Sequence, residues 1–445
     1  MKNFRKWVSL ALMACLAVSC LAGCGQTETE PTTAPQVQEI DYAGQLTLDM
    51  ASNTKKLEVT VKSYVDGDTV HFHTTDSNFE GGLLKARFLA VDTPESTGRI
   101  EEYGKKASSF TRNALSQAVS IMVESDNDKW NADSTGSRFM LWIWYKTAED
   151  AEYRLLNLEL LQNGLAVASN TANNRYGSTC MAALNQAKAL KLNVFSGQKD
   201  PDYYYGEAVE LTLKELRSNI ETYNGIAVAF DGVITMNDSN TLYVERYDSE
   251  TDLYYGISVY LGYNLPGAAL DVLMVGNECR IVGTVQYYET GDSWQVSGLT
   301  YNVMKPNAPN NVQLISTGNS PAYKLTDAAT FANGTVELEV EDELVSFPYA
   351  KLALNTSVEM LNLTVVDVYT TQNEESSNKG AMTLTCTVDG VTISVRTAVL
   401  YDAEGNLITE EAYMGKNISV KGAVDFYDGT YQIKVLTADH ITVND

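Results

Sequence analysis

Leu57-Glu58-Val59-Thr60-Val61-Lys62-Ser63-Tyr64-Val65-Asp66-Gly67-Asp68-Thr69 opens the folded part of this 445-residue chain, and Arg87-Phe88-Leu89-Ala90-Val91-Asp92-Thr93-Pro94-Glu95 soon follows. The β-branched and aromatic runs read as strands, 57–65, 71–73 and 85–91. Asp66-Gly67-Asp68 on its own reads as a hairpin turn, with Asp66 as turn support. The downstream Asp-Thr-Pro-Glu block makes Asp68 and Asp92 candidate metal ligands instead, because short, stiff aspartates at strand ends fix a cation at little entropic cost. Oxygen ligands favour a hard cation such as Ca²⁺. Arg87, five residues before Asp92 and read on the same strand, offers a guanidinium fork that suits a phosphate. Pro94 fixes the backbone ahead of Glu95, whose spare carboxylate can poise a water. Metal, base and phosphate clamp together imply phosphodiester cleavage.

From about Leu57 to Gly197 further motifs succeed these: Tyr103-Gly104-Lys105-Lys106-Ala107, Gly136-Ser137-Arg138, Gln162-Asn163-Gly164-Leu165-Ala166 and Leu192-Asn193-Val194-Phe195-Ser196. In this order they resemble the staphylococcal nuclease (thermonuclease) family. The resemblance implies an OB-fold barrel with three helices, expected at 104–118, 155–164 and 179–192. It implies Asp68, Asp92 and the Thr93 carbonyl as Ca²⁺ ligands, Glu95 as general base, and Arg87 and Arg138 as phosphate clamps. It further implies DNA or RNA as substrate, cleaved at P–O5′ to leave 3′-phosphate ends, with no nucleotide cofactor. The chain departs from the family twice. Thr135-Gly136-Ser137-Arg138 is one residue longer than the usual Tyr-Gly-Arg. Val167-Ala168-Ser169-Asn170-Thr171 replaces two tyrosines that bracket a nucleotide, and the nearest aromatic is Tyr176.

The N-terminus reads as an address. Lys2, Arg5 and Lys6 precede the apolar stretch 7–18, and Leu21-Ala22-Gly23-Cys24 resembles a bacterial lipobox. A lipid on Cys24 and an extracytoplasmic, membrane-tethered location are expected. Residues 25–57 read as a linker, its Thr- and Pro-bearing stretch 26–38 as a spacer. Cys180, Cys279 and Cys386 are spaced too widely to pair within one domain and read as small buried hydrophobes. The net charge of −25 is uneven: residues 58–200 hold 15 Lys+Arg against 18 Asp+Glu, and residues 201–445 hold 12 against 34. The acidic half repels polyanions at long range, which argues against its being the main nucleic-acid-binding arm.

Residues 201–445 contain a repeat. The stretch Val275-Gly276-Asn277 through Tyr287-Tyr288 aligns with Met414-Gly415-Lys416 through Phe426-Tyr427, each followed by a turn and a short strand. This reads as two smaller OB-like β-barrels at 206–304 and 322–445, joined by a linker at 305–321, after a nuclease-like domain at 58–200. His71 and His73 read as strand positions, and Tyr203-Tyr204-Tyr205 as packing at a domain junction. Two other functions fit the same chain: a nucleic-acid-binding barrel without useful turnover, and an envelope lipoprotein whose barrels recognise a glycan or protein.

Overall fold

Residues 39–444, except 263–266, 302–303, 306, 374–375 and 377, are described by a computed structural model. The lipobox and Cys24 lie outside the described residues. Three closed five-stranded barrels follow one another along the chain. In the first, β1 (Lys56–Tyr64) turns through Asp66-Gly67 into β2 (Thr69–His73), which pairs antiparallel with β3 (Leu83–Phe88). The turn is locked because the Val65 and Asp66 amides both donate to the Thr69 carbonyl, at 3.1 and 3.0 Å. A two-residue strand β4 (Val91–Asp92) comes next. Then β5 (Ser120–Glu124) and β6 (Phe139–Lys146) complete the wall, β5 against β1 and β6 parallel to β3.

Strand β6 is buried on both faces, and Leu141, Trp142, Ile143 and Trp144 are all fully buried. Such a strand must be covered outside the barrel as well as inside. Helices α2 (Gly104–Ser116), α3 (Leu156–Gln162) and α4 (Gly177–Ala189) follow the apolar spacing of the sequence, α2 burying Ala107, Thr111 and Leu115 on one face. Between these helices lie β7 (Arg154–Leu155) and β8 (Val167–Ala168), the latter paired with β4. The expected linker 25–57 already docks over its described end. There α1 (Tyr42–Gln45) buries Ala43, and Leu48 follows it into the same core. Asp41 binds the Arg154 guanidinium through two bonds of 2.9 Å.

The second part begins with β9 (Val209–Glu210). Its barrel is β10 (Ala227–Asp238), β11 (Thr241–Asp248), β12 (Leu253–Tyr260), β13 (Glu278–Tyr288) and β14 (Ser293–Ser297). Next come β15 (Gln313–Ser316), β16 (Lys324–Leu325) and a hairpin of β17 (Thr335–Val340) and β18 (Glu343–Pro348). The third barrel is β19 (Ser357–Thr370), β20 (Met382–Val388), β21 (Val391–Thr397), β22 (Asn417–Tyr427) and β23 (Thr430–Val435). In every barrel the first strand pairs with the fourth, and the third runs parallel to the fifth.

The aligned repeat becomes β13 and β22, which occupy equivalent places. Each carries a glycine where the neighbouring strand leaves no room for a Cβ. A Cβ at Gly283 would come within 2.6 Å of Val296, and one at Gly422 would overlap the Lys434 carbonyl. The stretch read as the 305–321 linker contributes β15, which pairs with β13. The β17–β18 hairpin, read with the last domain, buries Leu338 and Phe347 in the core of the second barrel. Cys180, Cys279 and Cys386 are free and buried, one in each core.

Barrels two and three are tied by Glu245 of β11, which is 2 % exposed. Its carboxylate accepts the Ser357 amide at 2.6 Å, the Ser357 hydroxyl at 2.8 Å and the Ala322 amide at 3.0 Å. Glu245→Ala would strand these donors without water. It is expected to lower the unfolding free energy by roughly 2–3 kcal/mol, read by denaturant titration of the full chain.

Candidate active site

Three segments converge at one end of the first barrel. The β2–β3 register sets Thr69 opposite Arg87, so the 66–68 turn and the end of β3 are neighbours. The chain leaves β3 and bends at Ala90, whose φ is +63°. Arg87 and Asp92 therefore stand on two strands, β3 and β4, not on the single strand the sequence suggests. The bend is imposed from elsewhere. Buried Asn157 donates to the Leu89 and Leu141 carbonyls at 2.9 and 3.1 Å, and the Ser169 amide donates to the Ala90 carbonyl at 3.0 Å. The reversal turns Asp92 back toward Asp68.

The two aspartates meet on one guanidinium. Arg87 Nη1 lies 2.7 Å from Asp68 Oδ1, and its Nη2 pairs with Asp92 Oδ1. Asp68 Oδ2 accepts the Thr93 amide at 2.8 Å and Oδ1 accepts the Thr69 hydroxyl at 3.1 Å. The Asp68 side chain is 1 % exposed and that of Asp92 is 52 % exposed. Burial pushes the Asp68 carboxyl up to about 6, against the opposing pull of Arg87 and the Thr93 amide. Gly67 lets these loops close, since a Cβ there would lie 2.8 Å from Thr93 Oγ1 and 3.0 Å from Ala107. Thr111 of α2 donates to the Gly67 carbonyl at 2.5 Å and holds the turn from behind.

Glu95 is exposed at the start of a loop that returns to α2. Asp66, read from sequence as turn support, does more than shape its own turn. It accepts from the Gly67 amide at 2.7 Å, from the Ser96 hydroxyl at 2.9 Å and from the Ser96 amide at 3.2 Å. The Glu95 carboxyl lies near enough to act on it. Burial first, and the Glu95 carboxyl second, push Asp66 above the usual carboxylate range. Protonated Asp66 can donate to Glu95 and orient it. Gly104 lets α2 sit against this loop, because a Cβ there would overlap the Glu95 carbonyl.

Arg138 is not part of the cluster. Its guanidinium is held by Asp133, at 2.7 Å from Nε and 2.6 Å from Nη2. It precedes β6 in the register that pairs Ala86 with Phe139, which places it beside Lys85. Burial and then the charges of Lys85, Lys62 and Arg138 hold His71 below its ordinary value. Arg138 thus belongs to a cationic stripe on the sheet face next to Arg87. Val167 and Ala168 stand where the resemblance expects stacking tyrosines, and they form the strand that pairs with Asp92 and Val91. Tyr176 packs edge-on against Trp142 and Trp144 and is closed to a base.

Among the described residues no three His, Cys, Asp or Glu side chains gather as a metal cage. The Asp68–Asp92 pair with the Thr93 main chain still fits a hard cation. All its donors are oxygen, and a buried carboxylate lacking full solvation gains from a nearby positive charge. Two side-chain ligands suit a weak site completed by water. The Thr93 hydroxyl is buried without a hydrogen-bond partner at this point.

Small OB barrels are a class of domains that bind oligonucleotides or oligosaccharides. Residues 85–197 match the family model described as staphylococcal nuclease homologue. The chain therefore carries a domain of this family, which points to nuclease or nucleic-acid-binding chemistry. Asp66 and Asp68 precede the matched segment and join it through the β2–β3 pairing.

Burial separates the two aspartates energetically. Asp68→Ala leaves Arg87 and the Thr93 amide underpaired inside the protein and is expected to cost roughly 2–3 kcal/mol of stability. Asp92→Ala, at a half-exposed position, should cost roughly 1 kcal/mol or less. Equilibrium unfolding in urea without added metal checks the contrast.

Proposed function

We propose that the first barrel is a Ca²⁺-dependent nuclease that hydrolyses phosphodiester bonds of DNA or RNA. The bridging of Asp68 and Asp92 by the Arg87 guanidinium, with Glu95 on the adjoining loop, carries this reading. Asp68, Asp92 and the Thr93 carbonyl would hold Ca²⁺, which supplies charge neutralisation at the phosphate and polarises a bound water. Arg87 is the counter-charge of both aspartates as the protein stands. A divalent cation on those carboxylates is a substitute counter-charge, leaving the fork available to non-bridging phosphate oxygens. Glu95, beside Asp66, takes a proton from the attacking water. Arg138 and Lys85 add positive charge along the neighbouring strands and suit the run of backbone phosphates.

Cleavage of a short oligonucleotide by the full chain is expected with millimolar Ca²⁺ and lost with chelator. Glu95→Gln should lower single-turnover cleavage by roughly 10² to 10⁴ while sparing substrate affinity. Arg87→Lys should also lose rate, because an ammonium cannot make the two-pronged contact. Oligonucleotide binding without cleavage would make the domain a binding barrel instead. That rival gains from the missing stacking tyrosines, since each stacked base is worth roughly 1–3 kcal/mol.

We further propose that lipid on Cys24 tethers the protein outside the cytoplasmic membrane, on the strength of Leu21-Ala22-Gly23-Cys24. Cys24→Ser is expected to abolish acylation, releasing protein to the medium or leaving an uncleaved precursor. Mass spectrometry of the native N-terminus decides: an unmodified mature Cys24 removes the tether from the account.

A further inference from the structure

The loop that carries Glu95 is finished by the second barrel. It leaves β4 and reverses at Gly98, whose φ is +68°, before entering α2. Within the first domain Ser96 is fixed to Asp66, and Glu101 is tied to Glu95 by reciprocal bonds. The Glu101 amide donates to the Glu95 carbonyl at 2.9 Å, and the Glu95 amide to the Glu101 carboxylate at 3.2 Å. The apex itself is held from across the domain boundary. Gln286 of β13 accepts the Gly98 amide at 2.9 Å and donates to the Gly98 carbonyl at 2.9 Å. The Ser297 hydroxyl, at the end of β14, donates to the same carbonyl at 3.0 Å.

Gln286 is 3 % exposed. Burying a primary amide in a barrel wall is costly unless both of its ends are satisfied. Here both ends are spent on one residue 188 positions earlier, as an adjacent strand would spend its backbone. Gly298 permits the approach, since a Cβ there would lie 3.1 Å from the Gly98 carbonyl. Helix α2 is held to the same barrel. Lys105 Nζ donates to the Asn224 carbonyl at 3.0 Å, and Arg112 pairs with Glu289 while its guanidinium lies 4.4 Å over the Tyr64 ring.

We propose that Gln286, supported by Ser297, is a positioning residue for the nuclease site, so that the second barrel acts as a brace aiming Glu95. This rests on the reading of Glu95 as the base. The loop is pinned at residues 96, 98 and 101, and releasing the middle pin lets the segment beside Glu95 swing. Misplacing a catalytic group by about 1 Å costs on the order of 10²-fold in rate. A nuclease barrel alone would lack this pin, which gives the duplicated half a role despite its acidic charge.

The test uses the full chain. Gln286→Met keeps the volume and removes both hydrogen bonds. It is expected to lower kcat roughly 10- to 100-fold with KM changed about 2-fold or less, the pattern of lost transition-state positioning. Because the brace acts through Glu95, the same change in a Glu95→Gln background should alter kcat by about 2-fold or less. Tryptic cleavage after exposed Arg99, one residue past the apex, should accelerate in Gln286→Met. Equal losses in the two backgrounds, or unchanged kcat alongside faster Arg99 cleavage, would overturn the proposal and leave Gln286 as a domain tie. Should Gln286→Met not fold, Ser297→Ala, which removes one of the three bonds, is expected to show the same pattern at roughly 3-fold. If the parent protein cleaves no oligonucleotide in Ca²⁺, both readings fall, and the Arg99 cleavage rates still report whether the loop is pinned.

Discussion

Asp68 is the point on which the first domain turns. One buried carboxylate receives donors from β2, from β3 and from the segment after β4, through the Thr69 hydroxyl, the Arg87 guanidinium and the Thr93 amide. Strands β2 and β3 are already paired, but that pairing does not require the segment after β4 to join them. The Phe88 amide also bonds the Asp68 carbonyl at 2.8 Å, so the residue binds through main chain and side chain together. Its position is costly in hydrophobic terms and is compensated by those donors. Such a cluster specifies one arrangement of three loops, where an apolar plug would accept several.

That arrangement explains why the chemistry sits on loops while the rigidity sits in strands. The barrel supplies fixed strand ends through the β3–β6 pairing and the buried tryptophans of β6. The loops between those ends then differ in how they are held. Asp92 lies on the two-residue strand β4, which is paired with β8. Glu95 lies on a reversal that the first barrel alone anchors at its two flanks. Irregular segments of this kind depend on a few specific bonds, which is where distant parts of a chain gain influence over a site.

Much of this was legible in the sequence where the signal is local. Asp-Gly-Asp between β-branched runs gives a turn, and α2 follows from Ala107, Phe110, Thr111 and Ala114 on one face. The duplicated barrels show through the shared glycine of β13 and β22, because close approach of the neighbouring strand excludes a Cβ at a fixed place in a local pattern. The break between Arg87 and Asp92 was not legible. Nothing in Leu89-Ala90 itself announces a turn, and the bend with its positive φ is held by Asn157 and Ser169, far along the chain. The Asp66–Glu95 contact and the Asp133–Arg138 pair depend on loop closure that spacing does not encode. Gln286 looked like any polar residue in a barrel strand, since its partner is 188 residues away. The docking of residues 39–48 was hidden by the low-complexity stretch just before them.

The three free cysteines among the described residues have a consequence of a different kind. Each is sealed in a separate barrel core, and burial raises every one of these thiols to about 12. A thiolate is the reactive form, so in the folded protein all three are inert toward alkylating reagents and oxidants. Opening any one barrel exposes a single sulfur at a known place in the sequence. The chain thus contains its own three-channel clock: the order in which Cys180, Cys279 and Cys386 become labelled is the order in which its barrels breathe.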